Sequence, residues 1–207
     1  MIVRDGIYYA VALSLAGALI CYLGGAGLAS PLWVLALFCL YFFRDPEREI
    51  PSGPVAVSPA DGKVVAIVDQ GSGVQRISIF LNIFDVHVNR TPIAGSIAKV
   101  EYHEGRFLVA SRGEASNQNE QNVVTVEGDG STVVFKQIAG LIARRIVFNK
   151  KAGDTVTAGE RIGLIKFGSR VDVLFGAEWE IAVQTGMRVS AGSTVIARRR
   201  GQDTHET

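Results

Sequence analysis

The chain is poor in the residues that usually announce chemistry: its 207 positions hold two cysteines and three histidines. Both cysteines, Cys21 and Cys39, fall in apolar stretches and read as small apolar residues. No disulfide framework and no Cys/His cluster is suggested, so no metal is expected. The formal net charge of +1 gives no electrostatic argument for a nucleic-acid partner. Charge is also missing locally: from Gly6 to Phe43 there is not one acidic or basic residue.

That charge-free stretch accounts for the positive mean hydropathy of +0.25. As one helix it would be about 57 Å long, against a hydrocarbon core of about 30 Å. Two segments fit better, Ile7–Leu23 and Leu28–Phe43, with a turn over Gly24–Pro31 where glycines and proline accumulate. The expected first domain, residues 1–43, is therefore a transmembrane or re-entrant helical hairpin. A cleaved signal peptide would show one apolar block and then a polar mature start, whereas here a second apolar block follows at once. Arg4 precedes the hairpin and Arg44 and Arg48 follow it, which by the positive-inside tendency puts both termini in the cytoplasm of a cell-membrane protein.

After a charged linker over residues 43–54, the second domain (44–207) is a series of short Val- and Ile-rich runs separated by glycines. They include 63–68, 76–81, 123–126, 132–138 and 144–148, and residues 139–146 suit a short helix. No long amphipathic helix is predicted. The fold class is mainly β, a sandwich or partly closed barrel. The pattern G-x-x-V-x-A-G-x-x-(I/V) occurs at Gly153–Ile162 and again at Gly186–Val195, 33 positions later. Each copy reads as strand, tight turn, strand, and resembles the hairpins of lipoyl and biotinyl carrier domains. Arg198–Arg200 reads as a solvated tail or a lipid-headgroup contact.

Four motifs stand out against this background: Ser58-Pro59-Ala60-Asp61-Gly62, the run from Phe80 to Pro92 (FLNIFDVHVNRTP), the polar Asn119–Asn122, and Phe167-Gly168-Ser169. Together they resemble the short, archaeal-type branch of the phosphatidylserine decarboxylases, over roughly residues 43–198. In that family a Gly-Ser bond cuts itself and the serine becomes a covalent pyruvoyl group. The resemblance implies cleavage at Gly168/Ser169 into a β chain (1–168) and an α chain (169–207), which stay together as a heterodimer. It also implies decarboxylation of phosphatidylserine to phosphatidylethanolamine and CO2 through a Schiff base on the pyruvoyl group. The electron sink that decarboxylation needs is not offered by pyridoxal phosphate, because there is no doubly wound pattern and no phosphate-binding glycine loop.

A second Gly-Ser bond, Gly192-Ser193, lies in AGST, which looks like the cleavage signature of the longer branch. The repeat argues against it, since Gly192-Ser193 falls where Gly159-Glu160 falls in the first copy. Self-cleavage needs a hydroxyl nucleophile, an accessible carbonyl such as that of Gly168, and a base. His205 is in the tail and His103 follows an alternating strand as an exposed residue. His87, between Val86 and Val88 and near Asp85, Asn89 and Arg90, is the candidate base and the acid that later protonates the α-carbon. Asp61 is read from residues alone as a turn aspartate, and from the resemblance as the carboxylate that serves with histidine and serine. The longer branch has a second histidine where Arg90 stands here, so whether His87 serves both cleavage and turnover stays open. Arg90 and Asn89 are candidate substrate contacts, a surface salt bridge being the alternative for Arg90. Asn117, Asn119, Glu120 and Asn122 suit a structural or substrate-side role. Phe107, Leu108 and Val109 suit core packing or an apolar membrane contact. The alternatives to an enzyme are a membrane-anchored adaptor with a lipoyl-like domain, or a carrier modified at Lys166.

Overall fold

The charge-free beginning of the chain folds as two helices in the computed structural model, which describes residues 1–108, 115–140, 145–166 and 169–201. The described chain divides into two compact units, Met1–Glu47 and Arg48–Thr207. In the first, α1 (Arg4–Gly24) and α2 (Ala26–Phe42) are joined by Gly25 alone, at a φ of 90° that glycine adopts without strain. The turn expected over Gly24–Pro31 falls at Gly25 and is shorter than expected, because Pro31 lies inside α2. Proline leaves the carbonyl four residues earlier without a donor. Here that carbonyl, on Gly27, accepts the Ser30 hydroxyl at 3.0 Å instead. The open end of the hairpin is tied by Val3 N–H to the Phe43 carbonyl (2.9 Å) and Asp45 N–H to the Met1 carbonyl (2.7 Å). Helix α1 is long and apolar enough to cross a membrane, and α2 is shorter, at 17 residues.

The second unit is built of short strands. Its largest sheet is antiparallel, eight-stranded and curled into a half-barrel. In spatial order it runs β13 (Arg188–Val189), β2 (Gly62–Asp69), β3 (Gln75–Leu81), β11 (Ser169–Phe175), β7 (Ser131–Ile138), β6 (Gln121–Gly128), β5 (Gly95–His103) and β9 (Thr155–Val156). Two three-stranded sheets complete it. One joins β4 (Val88–Arg90), β10 (Arg161–Ile165) and β8 (Ile146–Phe148), the other β1 (Val55–Val57), β14 (Val195–Arg199) and β12 (Trp179–Ile181). Alternate residues of the large sheet, among them Ile77, Ile79, Val124, Phe135, Val171 and Val173, form the core. The predicted runs at 63–68, 76–81, 123–126 and 132–138 all lie within strands. Of the helix expected over 139–146, residues 141–144 lie outside the described residues and Ile146 begins a strand. Arg198 and Arg199 belong to β14 rather than to a tail, and Arg199 donates to the Asp129 carbonyl.

The two repeat copies make equivalent turns, at Gly159 (φ 72°) and Gly192 (φ 78°). The strands flanking each turn do not pair with one another: β9 joins β5 while β10 joins β4 and β8, and β13 joins β2 while β14 joins β1 and β12. A second repeat with the same spacing explains the divergence. Ser58-Pro59-x-x-Gly62 and Thr91-Pro92-x-x-Gly95 are also 33 positions apart. Gly192 N–H donates to the Ser58 carbonyl (2.8 Å), and Gly159 N–H to the Thr91 carbonyl (2.9 Å). Val64 N–H meets the Met187 carbonyl as Ile97 N–H meets that of Asp154. At Gly62 and Gly95 a side chain would collide with the carbonyls of Phe80 and Glu127. The unit is thus a pseudo-duplicate in which each S/T-P-x-x-G turn leads into a long strand.

Candidate active site

The strand registers bring the start of β11, the ends of β3, β7 and β5 and the starts of β2 and β6 to one end of the large sheet. Ser169 opens β11 there, opposite Leu81. It is fully buried, and its Oγ has no hydrogen-bond partner among the described residues. A buried hydroxyl left unpaired costs about 1–3 kcal/mol. Side chains alternate along a strand, so Ser169 shares its face with Val171. Val171 faces Gln137, which in turn faces Asn122. Phe167 and Gly168 lie outside the described residues.

Three buried amides form a chain on this face. Asn122 donates to Gln137 Oε1 (3.1 Å), and Gln137 Nε2 donates to Asn89 Oδ1 (2.9 Å). Asn89 is fully buried and its Nδ2 has no partner among the described residues, leaving a free donor. Sequence reasoning named Asn89 and Asn122 but not Gln137. The signal was a glutamine in line with Val133 and Phe135, the inward-facing positions of its strand.

His87 does not lie in a strand but just before β4, and burial along Asp85–Ile93 is continuous rather than alternating. It is 2% exposed. Its Nδ1 lies 2.9 Å from the Asp85 carbonyl, which can only accept, so Nδ1 carries the proton and Nε2 is the basic nitrogen. The His87 carbonyl accepts from Ile165 N–H (3.3 Å), four residues before Ser169. The Asp85 carboxylate caps its own turn through Asn82 N–H (2.9 Å) and pairs with Arg188.

Asp61 receives Ala191 N–H at 2.7 Å and the Arg48 guanidinium at 2.8 Å. Burial pushes its carboxyl above the usual aspartate range, against the opposing pull of Ala191 and Arg48. The pseudo-duplicate decides whether this aspartate merely makes a turn. Ala94 occupies the matching position before Gly95, and the same turn forms with no carboxylate. The turn itself therefore does not require a carboxylate.

Arg90 is buried rather than at a surface salt bridge. It donates to the Gly159 carbonyl (3.1 Å), and its Cδ lies where a Gly192 side chain would go, so it underlies both repeat turns. Asn119 is a clamp, bonding Leu108 through both its amide groups and also the Ala139 carbonyl. His103 is exposed; Val109 and His205 lie outside the described residues. Gly192-Ser193 sits in the second repeat turn, where Ser193 N–H meets the Ser190 carbonyl (3.2 Å).

One feature escaped sequence reasoning entirely. On the face of β11 opposite to Ser169, Arg170 is fully buried, donating to Asp172 (2.7 Å) and to the Ser78 hydroxyl (2.5 Å). Arg76 approaches Asp172 from β3 at 3.9 Å. The signal was R-x-D at strand spacing in an apolar run.

Comparison with known proteins gives a consistent picture. The family model described as phosphatidylserine decarboxylase matches residues 35–197. A phosphatidylserine decarboxylase proenzyme of Solibacter usitatus is 72% identical over 198 residues, covering 96% of this chain and 97% of the relative. Proteins of the same name from Magnetococcus marinus and Burkholderia vietnamiensis are 47% and 43% identical, over 83% and 95% of this chain and equal shares of their own lengths.

Proposed function

The chain belongs to the phosphatidylserine decarboxylase family, and we propose that it converts phosphatidylserine to phosphatidylethanolamine and CO2 after cutting itself before Ser169. The observation that carries this reading is the buried Ser169 Oγ at the end of a sheet, with no hydrogen-bond partner among the described residues. A proenzyme must hold such a hydroxyl ready to attack the preceding carbonyl. Attack transfers the acyl group of Gly168 from nitrogen to oxygen. Elimination of the ester and hydrolysis then release the β chain, with ammonia, and leave a pyruvoyl group at the head of the α chain.

The residues present fit that group. Ser169 is buried, begins a strand held on both sides, and shares its sheet face with the Gln137 and Asn122 amides. When formed, the pyruvoyl group supplies the electron sink for decarboxylation. The chain's own residues do the rest in this proposal. His87 Nε2 takes the Ser169 proton during cleavage and, in turnover, delivers a proton to the α-carbon. Asp61 supplies the carboxylate that favours a charged His87. The free Asn89 Nδ2 donates to the substrate carboxylate, and Arg90 acts by positioning Asn89 and His87 from beneath. The short-branch assignment rests on FGSR at residues 167–170.

The proposed location is the cytoplasmic face of the cell membrane, held by the α1–α2 hairpin. The test is release of labelled CO2 from phosphatidylserine carrying the label in its serine carboxyl. Wild-type protein should release it and lose activity on treatment with a carbonyl-trapping hydrazine. Cleaved protein that releases none would overturn the assignment.

A further inference from the structure

The turn that leads into His87 carries the most exposed apolar side chain described in the second unit. In Asn82-Ile83-Phe84-Asp85, Phe84 is 60% and Ile83 38% exposed. Burying a phenylalanine is worth about 1.5–3 kcal/mol, so displaying one on a rigid tip forgoes that stabilisation. The tip is rigid: Asn82 Oδ1 accepts Phe84 N–H (2.8 Å) and Asp85 Oδ2 accepts Asn82 N–H (2.9 Å). Arg188 pins it from the side through Asp85 Oδ1. Next to Arg188 stands Met187, 42% exposed. Arg188 pairs with Lys63 across β13 and β2, and both side chains are exposed. Apolar tip and cationic flank therefore form one surface, at the end of the sheet where Ser169 sits.

The charges say which way this surface faces. The carboxylates within it, Asp85 and Asp61, are paired with Arg188 and Arg48, which leaves Lys63 to set the sign. Among the described residues, the exposed Glu104 and the half-buried Glu101, which pairs with Lys99, are on or beside β5, five strands from β2.

Resting on the decarboxylase reading, we propose that Ile83, Phe84 and Met187, flanked by Lys63 and Arg188, form a docking surface that inserts into an anionic phospholipid bilayer and holds the Ser169 end of the sheet against it. Apolar side chains enter below the headgroups while the cations meet lipid phosphates and carboxylates. This is a contact of the catalytic unit itself, separate from the helical hairpin, and it serves a substrate whose headgroup must reach Ser169 while its tails stay in the membrane.

The experiment uses the full-length protein in nanodiscs containing phosphatidylserine, with Trp33→Phe and Trp179→Phe together as background, so that the introduced indole is the one tryptophan. Phe84→Trp should give blue-shifted emission that lipids brominated in their acyl chains quench. Val68→Trp, at the opposite end of the same sheet and also part-exposed, should not be quenched. Phe84→Glu should self-cleave fully and keep its rate on soluble short-chain phosphatidylserine. It should raise the KM for phosphatidylserine mole fraction in vesicles on the order of tenfold. Emission from the Phe84→Trp protein that bromolipid leaves unquenched overturns the docking surface even if decarboxylation is intact. So does an indole at that position that becomes buried only on binding another protein or a second copy. A chain that releases no CO2 as wild type, while its Phe84→Trp variant is quenched, overturns the decarboxylase reading instead.

Discussion

Asp61 shows how much one residue can say once a fold contains its own control. Its turn is made twice, once with aspartate and once with Ala94, so the turn by itself does not call for a carboxylate. Burial raises its pKa, and the sign of the effect can be worked through. A carboxyl whose folded pKa lies above the unfolded value of about 3.9 stabilises the fold only below that value. The contribution is lost as pH rises through the folded pKa. At neutral pH ionised Asp61 is therefore a stability cost. Asp61→Asn should unfold at the same temperature as wild type or above it, by calorimetry, while self-cleavage slows 100-fold or more, the scale of a positioned acid–base group. The same shift places the acid limb of the wild-type cleavage rate above the ordinary aspartate range. A pH profile that stays flat down to pH 4 would remove Asp61 from the mechanism. Arg170 predicts the opposite balance. Taking one partner from its buried pair should cost about 3–5 kcal/mol, so Arg170→Ala should fall steeply in denaturant midpoint whatever becomes of cleavage.

At the scale of elements, the strands were legible because alternating Val and Ile at ten-residue intervals leave little choice of structure, and four of the runs lie inside strands. The turn between the helices was drawn too long because Pro31 was read as a breaker. Ser30 answers for the carbonyl that Pro31 leaves open, a local rescue that hydropathy does not reveal. The 153/186 repeat was visible, but its flanking strands were read as paired. The decisive signal was the second repeat, 58/91, whose Ser and Thr carbonyls receive the turn N–H groups. Of the site, Ser169, His87 and Asp61 were legible as motif residues. Gln137 and Arg170 were not, since only strand pairing puts a lone glutamine beside Asn89 and an arginine over Asp172. The duplication predicts an exchange: Ala94→Asp should leave folding and cleavage unchanged, and Asp61→Ala should fold and stay uncut. Loss of folding in Asp61→Ala would make the aspartate structural after all.

For the whole molecule, the position of β11 governs what cleavage can do. The strand that begins at Ser169 lies between β3 and β7, paired along seven and six residues, and the chain beyond it adds β13 to β2 and β14 to β1. The cut therefore falls at the entrance to a central strand and frees no element. Both fragments should elute together under native conditions and part only in denaturant; an α chain lost on native chromatography would contradict this topology. The central claim is the bond that breaks, and the most direct measurement is the intact mass of wild type, Ser169→Ala and Ser193→Ala after denaturation. The account predicts two chains for wild type and Ser193→Ala, divided between residues 168 and 169 with a blocked N-terminus on the smaller, and one chain for Ser169→Ala. An uncut wild type, or a division at 192/193, would contradict it.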